Sequence, residues 1–198
     1  MTYETILAIA LFSLVGSVSP GPSNFMLLAS GTNFGFRRTM PQILGITVGL
    51  SSVLLAVGFG LGALITAYPP IGLAMKIAGS AYLLYLAWRI AMSRAVPSGE
   101  STSARPLTLL ESAAFQWVNP KAWIAALTAM AAYASTENPF VSVLLITGVT
   151  AAINLPSVAV WAGFGAALRN FLSDPVRLKW FNIAMGLLLV ASLWPLLR

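Results

Sequence analysis

Two short runs hold the residue types that could do chemistry: Ser19-Pro20-Gly21-Pro22-Ser23-Asn24, and Asn119-Pro120-Lys121 with Gln116 just before it. Proline lacks the amide hydrogen and clashes with the preceding turn, so Pro20 and Pro22 around Gly21 predict a helix kinked or split between Ser19 and Asn24. Ser19, Ser23 and Asn24 would serve the backbone groups freed there. Asn is a favoured N-cap and Pro a favoured first helical residue, so Asn119-Pro120 reads as a helix start. Helix N-termini present unpaired amides and partial positive charge. Two of them beside the Lys121 ammonium would suit an anionic group, a carboxylate above all. Gln116 and a further break at Asn154 and Pro156 would line the same path, although Asn154 serves equally as an interhelical hydrogen bond. Plainer readings exist for both runs: a proline kink packed against its neighbours, and a lysine whose long stem reaches the interface.

The elements that must position these residues are membrane helices. Of 198 residues 58% are hydrophobic and 8% charged, with no histidine and no cysteine, against roughly 25% charged in a soluble domain. Zinc sites, thiol redox centres, disulfides and histidine triads are excluded, and no metal or cofactor is called for. The eleven Lys and Arg residues are scattered between apolar runs instead of clustering on one wettable face, which argues against a nucleic-acid partner. A span needs about 20 apolar residues. Six stretches qualify: Thr5 to Ser30, Pro41 to Ala67, Ile71 to Met92, Leu107 to Tyr133, Phe140 to Leu168 and Trp180 to Leu197. The first carries Glu4 and no Lys or Arg ahead of it and is too long for a signal-peptide core, so it reads as a retained span. The connections are Gly31 to Met40, Tyr68 to Pro70, Ser93 to Pro106, Ala134 to Pro139 and Arg169 to Lys179.

Arginine sets the orientation. Arg37 and Arg38 lie in the first connection, Arg94 and Arg105 in the third with Arg89 just before it, and Arg169, Arg177 and Lys179 in the fifth. The positive-inside rule makes these cytoplasmic and puts both termini in the periplasm. Three spans per half is an odd number, so the second half starts from the opposite side of the bilayer. Each half opens with a proline-interrupted span, which is the sequence mark of an inverted repeat with the binding site at the breaks. The expected fold is therefore all-α and integral to the membrane. It is one transporter domain over 1–198, with six helices as two inverted three-helix repeats (1–93 and 107–198), a cytoplasmic linker at 94–106, and the first and fourth helices broken. Lys121, about 14 residues into its span, would lie roughly 21 Å deep, where an ionisable group is a functional candidate. Gly45 with Gly49, and Gly58 with Gly62, have the small-xxx-small spacing of close helix packing. Trp180 and Trp194 suit interfacial anchoring.

The sequence resembles the lysine exporter and homoserine/threonine resistance (LysE/RhtB) family of bacterial amino-acid exporters. The resemblance runs along Ser19-Pro20-Gly21-Pro22 with Asn24, Gly31 to Arg37, Gly45 and Gly49, the stretch from Gly79 to Trp88, and Phe115-Gln116-Trp117-Val118-Asn119-Pro120-Lys121-Ala122. It implies an inner-membrane protein that expels amino acids or close derivatives using the proton gradient. The resemblance also carries a departure. Members exporting basic amino acids have an acid shortly after the Asn-Pro and another in the second span, where this chain has Ala122-Trp123-Ile124-Ala125 and Ser51-Ser52. No acid falls at mid-membrane depth, and Glu111, near a span end, is the only acid inside a span.

The expected substrate is thus a small neutral amino acid or derivative of homoserine, threonine, O-acetylserine or cysteine type. The binding set is Ser19, Pro20, Gly21, Pro22, Ser23, Asn24, Gln116, Asn119, Pro120, Lys121 and Asn154. The partners are that substrate and the lipid bilayer of the bacterial inner membrane, and a homodimer is left open. Two rival readings differ in class. A six-helix ion or metal-ion exporter or channel would want rings of Asp, Glu or carbonyls. An intramembrane enzyme would use Lys121 with Ser19 or Ser23 as a Ser-Lys dyad.

Overall fold

The computed structural model describes residues 1–93 and 105–194, and every regular element among them is helical. The helices are α1 Tyr3–Val18, α2 Pro22–Phe34, α3 Phe36–Ala56, α4 Gly62–Ala67, α5 Pro69–Ala91, α6 Leu109–Val118, α7 Pro120–Tyr133, α8 Pro139–Leu168 and α9 Pro175–Ala191. Most of the expected linker and the end of the expected sixth span lie outside the described residues.

Both proline-marked breaks are present. α1 ends at Val18, and α2 starts from an extended Gly21 with Pro22 in its first turn, the two axes meeting at 57°. α6 and α7 are separated by Asn119 alone, in extended conformation. Three other expectations need correction. The first connection, expected over Gly31 to Met40, shrinks to Gly35. That glycine sits at φ +81, a left-handed conformation that lets α3 start at once and take Pro41 into its first turns. Asn154 and Pro156 do not break the fifth span, because α8 is one continuous helix of 30 residues with Pro156 inside it. Helical neighbours can re-satisfy the carbonyl that a proline frees. The fifth connection is also shorter than expected, since α9 begins at Pro175. One interruption was not anticipated: a π turn at Val57–Leu61, with Gly60 at φ +108, lies between α3 and α4.

Burial is arranged for a lipid surround. α1 buries Ile9, Ser13 and Ser17 at four-residue spacing while Leu11, Leu14 and Val15 face outward. Hydroxyls inside and apolar side chains outside is the reverse of a soluble helix. Among the described residues Phe36–Leu64 (29 residues, mean hydropathy 2.1) and Pro139–Leu168 (30 residues, mean hydropathy 1.9) are long and apolar enough to cross a bilayer, and the bent α1–α2 pair has the length and apolarity of either a third, broken span or a re-entrant loop. The breaks leave α6 with 10 residues and α7 with 14, roughly 15 and 21 Å at 1.5 Å per residue, so neither crosses alone.

α8 forms the spine, packed along α1, α2 and α3, while α3 also lies against α6, and α5 against α9. Where α2 crosses α8, Gly31 meets the Ala162 carbonyl and Gly165 meets the Leu28 carbonyl, so each helix offers the other a backbone surface. The Gly45–Gly49 pair does the same on α3, against Leu109 and Ala113 of α6, as its spacing predicts. The described helix ends that flank the three arginine-bearing connections meet at one end. There Asn33 and Asn182 exchange side-chain hydrogen bonds (2.9 and 3.2 Å), the Ser93 hydroxyl donates to Asn33 (3.2 Å), and the Asn182 amide donates to the Ser93 carbonyl (2.8 Å).

Candidate functional site: the meeting of two broken helices

The two breaks meet, and the meeting is polar. Asn119 Nδ2 donates to Ser23 Oγ and to Gln116 Oε1, both at 3.1 Å, and Gln116 Nε2 donates to Ser23 Oγ at 3.0 Å. One hydroxyl on α2 thereby ties the end of α6 to the start of α7. Asn119 also caps α7, its Oδ1 accepting the Lys121 amide hydrogen at 3.1 Å. With that amide committed and Pro120 having none, the Trp117 carbonyl loses its helical partner, and Trp123 Nε1 donates to it instead at 2.7 Å.

Lys121 crosses to the other break. Its Nζ donates to the Ser19 carbonyl (2.6 Å), the Ser19 hydroxyl (2.8 Å) and the Pro20 carbonyl (3.4 Å). Ser19 is the C-cap of α1, so the ammonium sits at the negative end of a helix dipole, a favourable place for a cation. Asn24 completes that end, donating to the Ser17 carbonyl at 2.8 Å and the Ser19 carbonyl at 2.9 Å. Gly21 is glycine because the lysine stem runs across it: a Cβ there would come within 2.9 Å of Lys121 Cδ.

Sequence reasoning anticipated two open helix N-termini facing Lys121. The N-cap read at Asn119 is present, so of the two N-termini only that of α2 is open, and the lysine turns elsewhere. α7 is closed by its own Asn119, whereas α2 has no side-chain cap, leaving the Ser23 and Asn24 amides as its free donors. Lys121 spends its donors on the C-terminus of α1. Its stem nonetheless spans the gap from one break to the other.

A cavity of about 70 Å³ lies at this junction, its wall including Gly21, Ser23, Asn24, Gln116, Asn119 and Lys121. Asn154 joins it from α8, donating to Ser17 Oγ (2.9 Å) and accepting from Thr47 Oγ1 (3.0 Å), so the interhelical-bond reading and the lining reading both hold for it. Ser19, Pro20, Pro22 and Pro120 shape the junction without lining the cavity. Sequence reasoning missed Ser13, Ser17, Thr47 and Thr150, all buried, with Ser13 and Thr150 hydroxyls 3.0 Å apart. Only the i, i+4 spacing of Ser13 and Ser17 could have pointed to them. Glu111 is absent from the wall. It closes a capping box with Thr108 at the start of α6 and pairs with Arg105 at 2.7 Å, which is the only ion pair among the described residues.

A profile of the LysE type translocator family matches residues 14–192. The chain belongs to that family. Relatives of this LysE-type chain include the cysteine/O-acetylserine efflux proteins of Escherichia coli strain K12 and Shigella sonnei strain Ss046, each 29% identical over 194 residues, which is 96% of this chain and 96% of theirs. No solved structure matches it. A LysE-type translocator is a multi-pass membrane protein that moves a solute and is not an enzyme. The Ser19–Lys121 contact that a Ser-Lys dyad would need is here the cap of a membrane helix.

Proposed function

We propose that this protein exports small neutral amino acids or derivatives, of the cysteine, O-acetylserine, homoserine or threonine type, across the bacterial inner membrane, driven by the proton gradient. The observation that carries the reading is the junction itself: a cation and an uncapped helix N-terminus lie at one cavity whose largely apolar wall is broken by polar side chains from both breaks. The Ser23 and Asn24 amides with the Lys121 ammonium receive the α-carboxylate. The Ser19 and Pro20 carbonyls, released as Lys121 turns to the carboxylate, receive the α-amino group. The cavity wall offers no carboxylate among the described residues, so a second positive charge on the substrate would stay unpaired and be costly to desolvate. Among the described residues Lys121 is also the only titratable side chain on that wall. The names of the curated relatives agree with a neutral substrate.

Six crossings as two inverted repeats belong to the same proposal. Exchanging the repeats pairs α1 with α6, α2 with α7, α3 with α8 and α5 with α9. The contacts α3–α8 and α5–α9 map onto themselves under that exchange, and α3–α6 maps onto α8–α1. The meeting at one end of the helix ends that flank the arginine-bearing connections supports a cytoplasmic face there and both termini in the periplasm. Purified protein in proteoliposomes tests the substrate class by counterflow of labelled amino acids. We expect exchange of cysteine, O-acetylserine, homoserine or threonine and none of lysine or arginine. Counterflow of the basic amino acids alone would overturn the reading.

A further inference from the structure

A second cavity, about 240 Å³, opens at the arginine-bearing end among α2, α3, α5 and the segment leading into α6. Gln42 of α3 lines it. Gln42 is 2% exposed, and among the described residues its side-chain amide has no hydrogen-bond partner. Its amide is not sealed in the core but opens onto the cavity, where a ligand's polar group can pair with it. Arg89 of α5 lines the same cavity. It spends one N–H on the Arg105 carbonyl (3.0 Å) and has no acidic partner among the described residues, whereas Arg105 is neutralised by Glu111 through two bonds of 2.7 Å. The remaining wall is largely apolar, with Met26, Leu86 and Leu107. An anionic oxygen for Arg89, an uncharged polar group for Gln42 and a short apolar stem between them describe a small neutral amino acid.

The two cavities are in series. On α3, Gln42, Ile46, Leu50 and Leu54 follow one another at four-residue spacing on one face; Gln42 lines the outer cavity and the other three line the cavity at the breaks. On α2, Ser23 and Asn24 face the inner cavity and Met26 the outer one. One helical turn, roughly 6 Å, separates Gln42 from Ile46. We infer that the outer cavity is the cytoplasmic loading site, where Arg89 takes the substrate carboxylate and Gln42 its polar side group before the substrate passes between Met26 and Ile46 to the breaks. The inference rests on the exporter reading above and adds to it a second, preceding binding site.

Everted membrane vesicles, whose cytoplasmic face is outward, test it by the initial rate of labelled O-acetylserine uptake against its concentration. Gln42→Leu is expected to raise KM about fivefold and Arg89→Gln about tenfold, with kcat within about twofold of wild type and Arg89→Lys recovering most of the loss. If wild-type vesicles take up none of the neutral substrates, the exporter reading falls and the loading site with it. If wild type transports and both variants keep its KM, the loading site alone is overturned. Should Gln42→Leu fail to elute as a monodisperse peak, Arg89→Gln, at a partly exposed position, decides the matter. A lipid phosphate could also supply the anionic oxygen for Arg89. Purified protein in phosphatidylcholine vesicles with and without phosphatidylglycerol separates the two: a KM shift that appears only with the anionic lipid would overturn the substrate role.

Discussion

At the residue scale, Lys121 has two jobs that substitution can part. It caps α1 through the Ser19 and Pro20 carbonyls and, in the proposed cycle, exchanges them for a carboxylate. Lys121→Met keeps the stem and removes the donors. The Ser19 carbonyl retains its bond from Asn24, so the loss of stability should be modest, about 1 kcal/mol. Export should fall about ten- to hundredfold, since a charge-assisted bond to the substrate is gone. Thermal melting in detergent set beside the export rate checks both, and near-normal export would leave Lys121 as a helix cap only. Gly21→Ala approaches from the other side: its Cβ would come within 2.9 Å of Lys121 Cδ and 3.1 Å of Nζ. A flexible stem can move away at little cost in stability, so the melting point should hold while export drops as the ammonium is displaced.

At the element scale, the close crossings depend on the absence of side chains. A Cβ on Gly49 would lie 2.6 Å from the Ala113 carbonyl and 2.8 Å from Gln116 Cγ. Gly49→Leu should push α6 off α3 and lower stability by about 1–3 kcal/mol or more, read as a lower melting temperature, and Gln116 should lose its grip on Ser23. The start of α9 gives a pH-dependent counterpart. The Asp174 carboxylate accepts the Val176 and Arg177 amide hydrogens at 2.8 and 3.0 Å, and those bonds hold its pKa below the usual aspartate range. A depressed folded pKa means that the cap stabilises fully above the unfolded value of about 3.9 and is lost as the pH falls through the folded value. Asp174→Asn keeps the capping geometry and removes the titration, so its melting temperature should vary less than wild type below about pH 4, whereas Asp174→Ala should melt lower at neutral pH.

At the scale of the whole molecule, the helix ends flanking the arginine-bearing connections share one end, and the proposed orientation rests on the charge of those connections. A reporter fused to the C-terminus and active only in the periplasm should score positive; activity of a cytoplasm-only reporter at that site would overturn the proposed orientation, and with the N-terminus periplasmic it would make the number of spans odd and remove the inverted repeat as well. How much of this was legible in advance varied with the kind of signal. Pro20, Pro22 and Pro120 act on their own backbone, so both breaks could be placed from sequence. Pro156 acts on backbone too, yet α8 runs straight through it because α1, α2 and α3 pack around it. Gly35 closes a connection that composition made ten residues long, since Phe36, Arg37 and Arg38 carry no signal against helix.

The sequence by itself determined the solvent this protein folds in, the helical class, the positions of the two interruptions and the polar residues that surround them. These are local properties: hydropathy, a missing amide hydrogen, a capping side chain. Tertiary structure alone decided which groups those residues serve. Lys121 was expected at helix N-termini and lies against the C-terminus of α1; Asn119, read correctly as a cap, also binds Ser23 across the gap; and Ser13, Ser17, Thr47 and Thr150 become part of the polar interior only because α8 brings α1 and α3 together. A hydrogen bond between residues a hundred positions apart is set by how helices cross, and the crossing is set by which small residues let backbones touch.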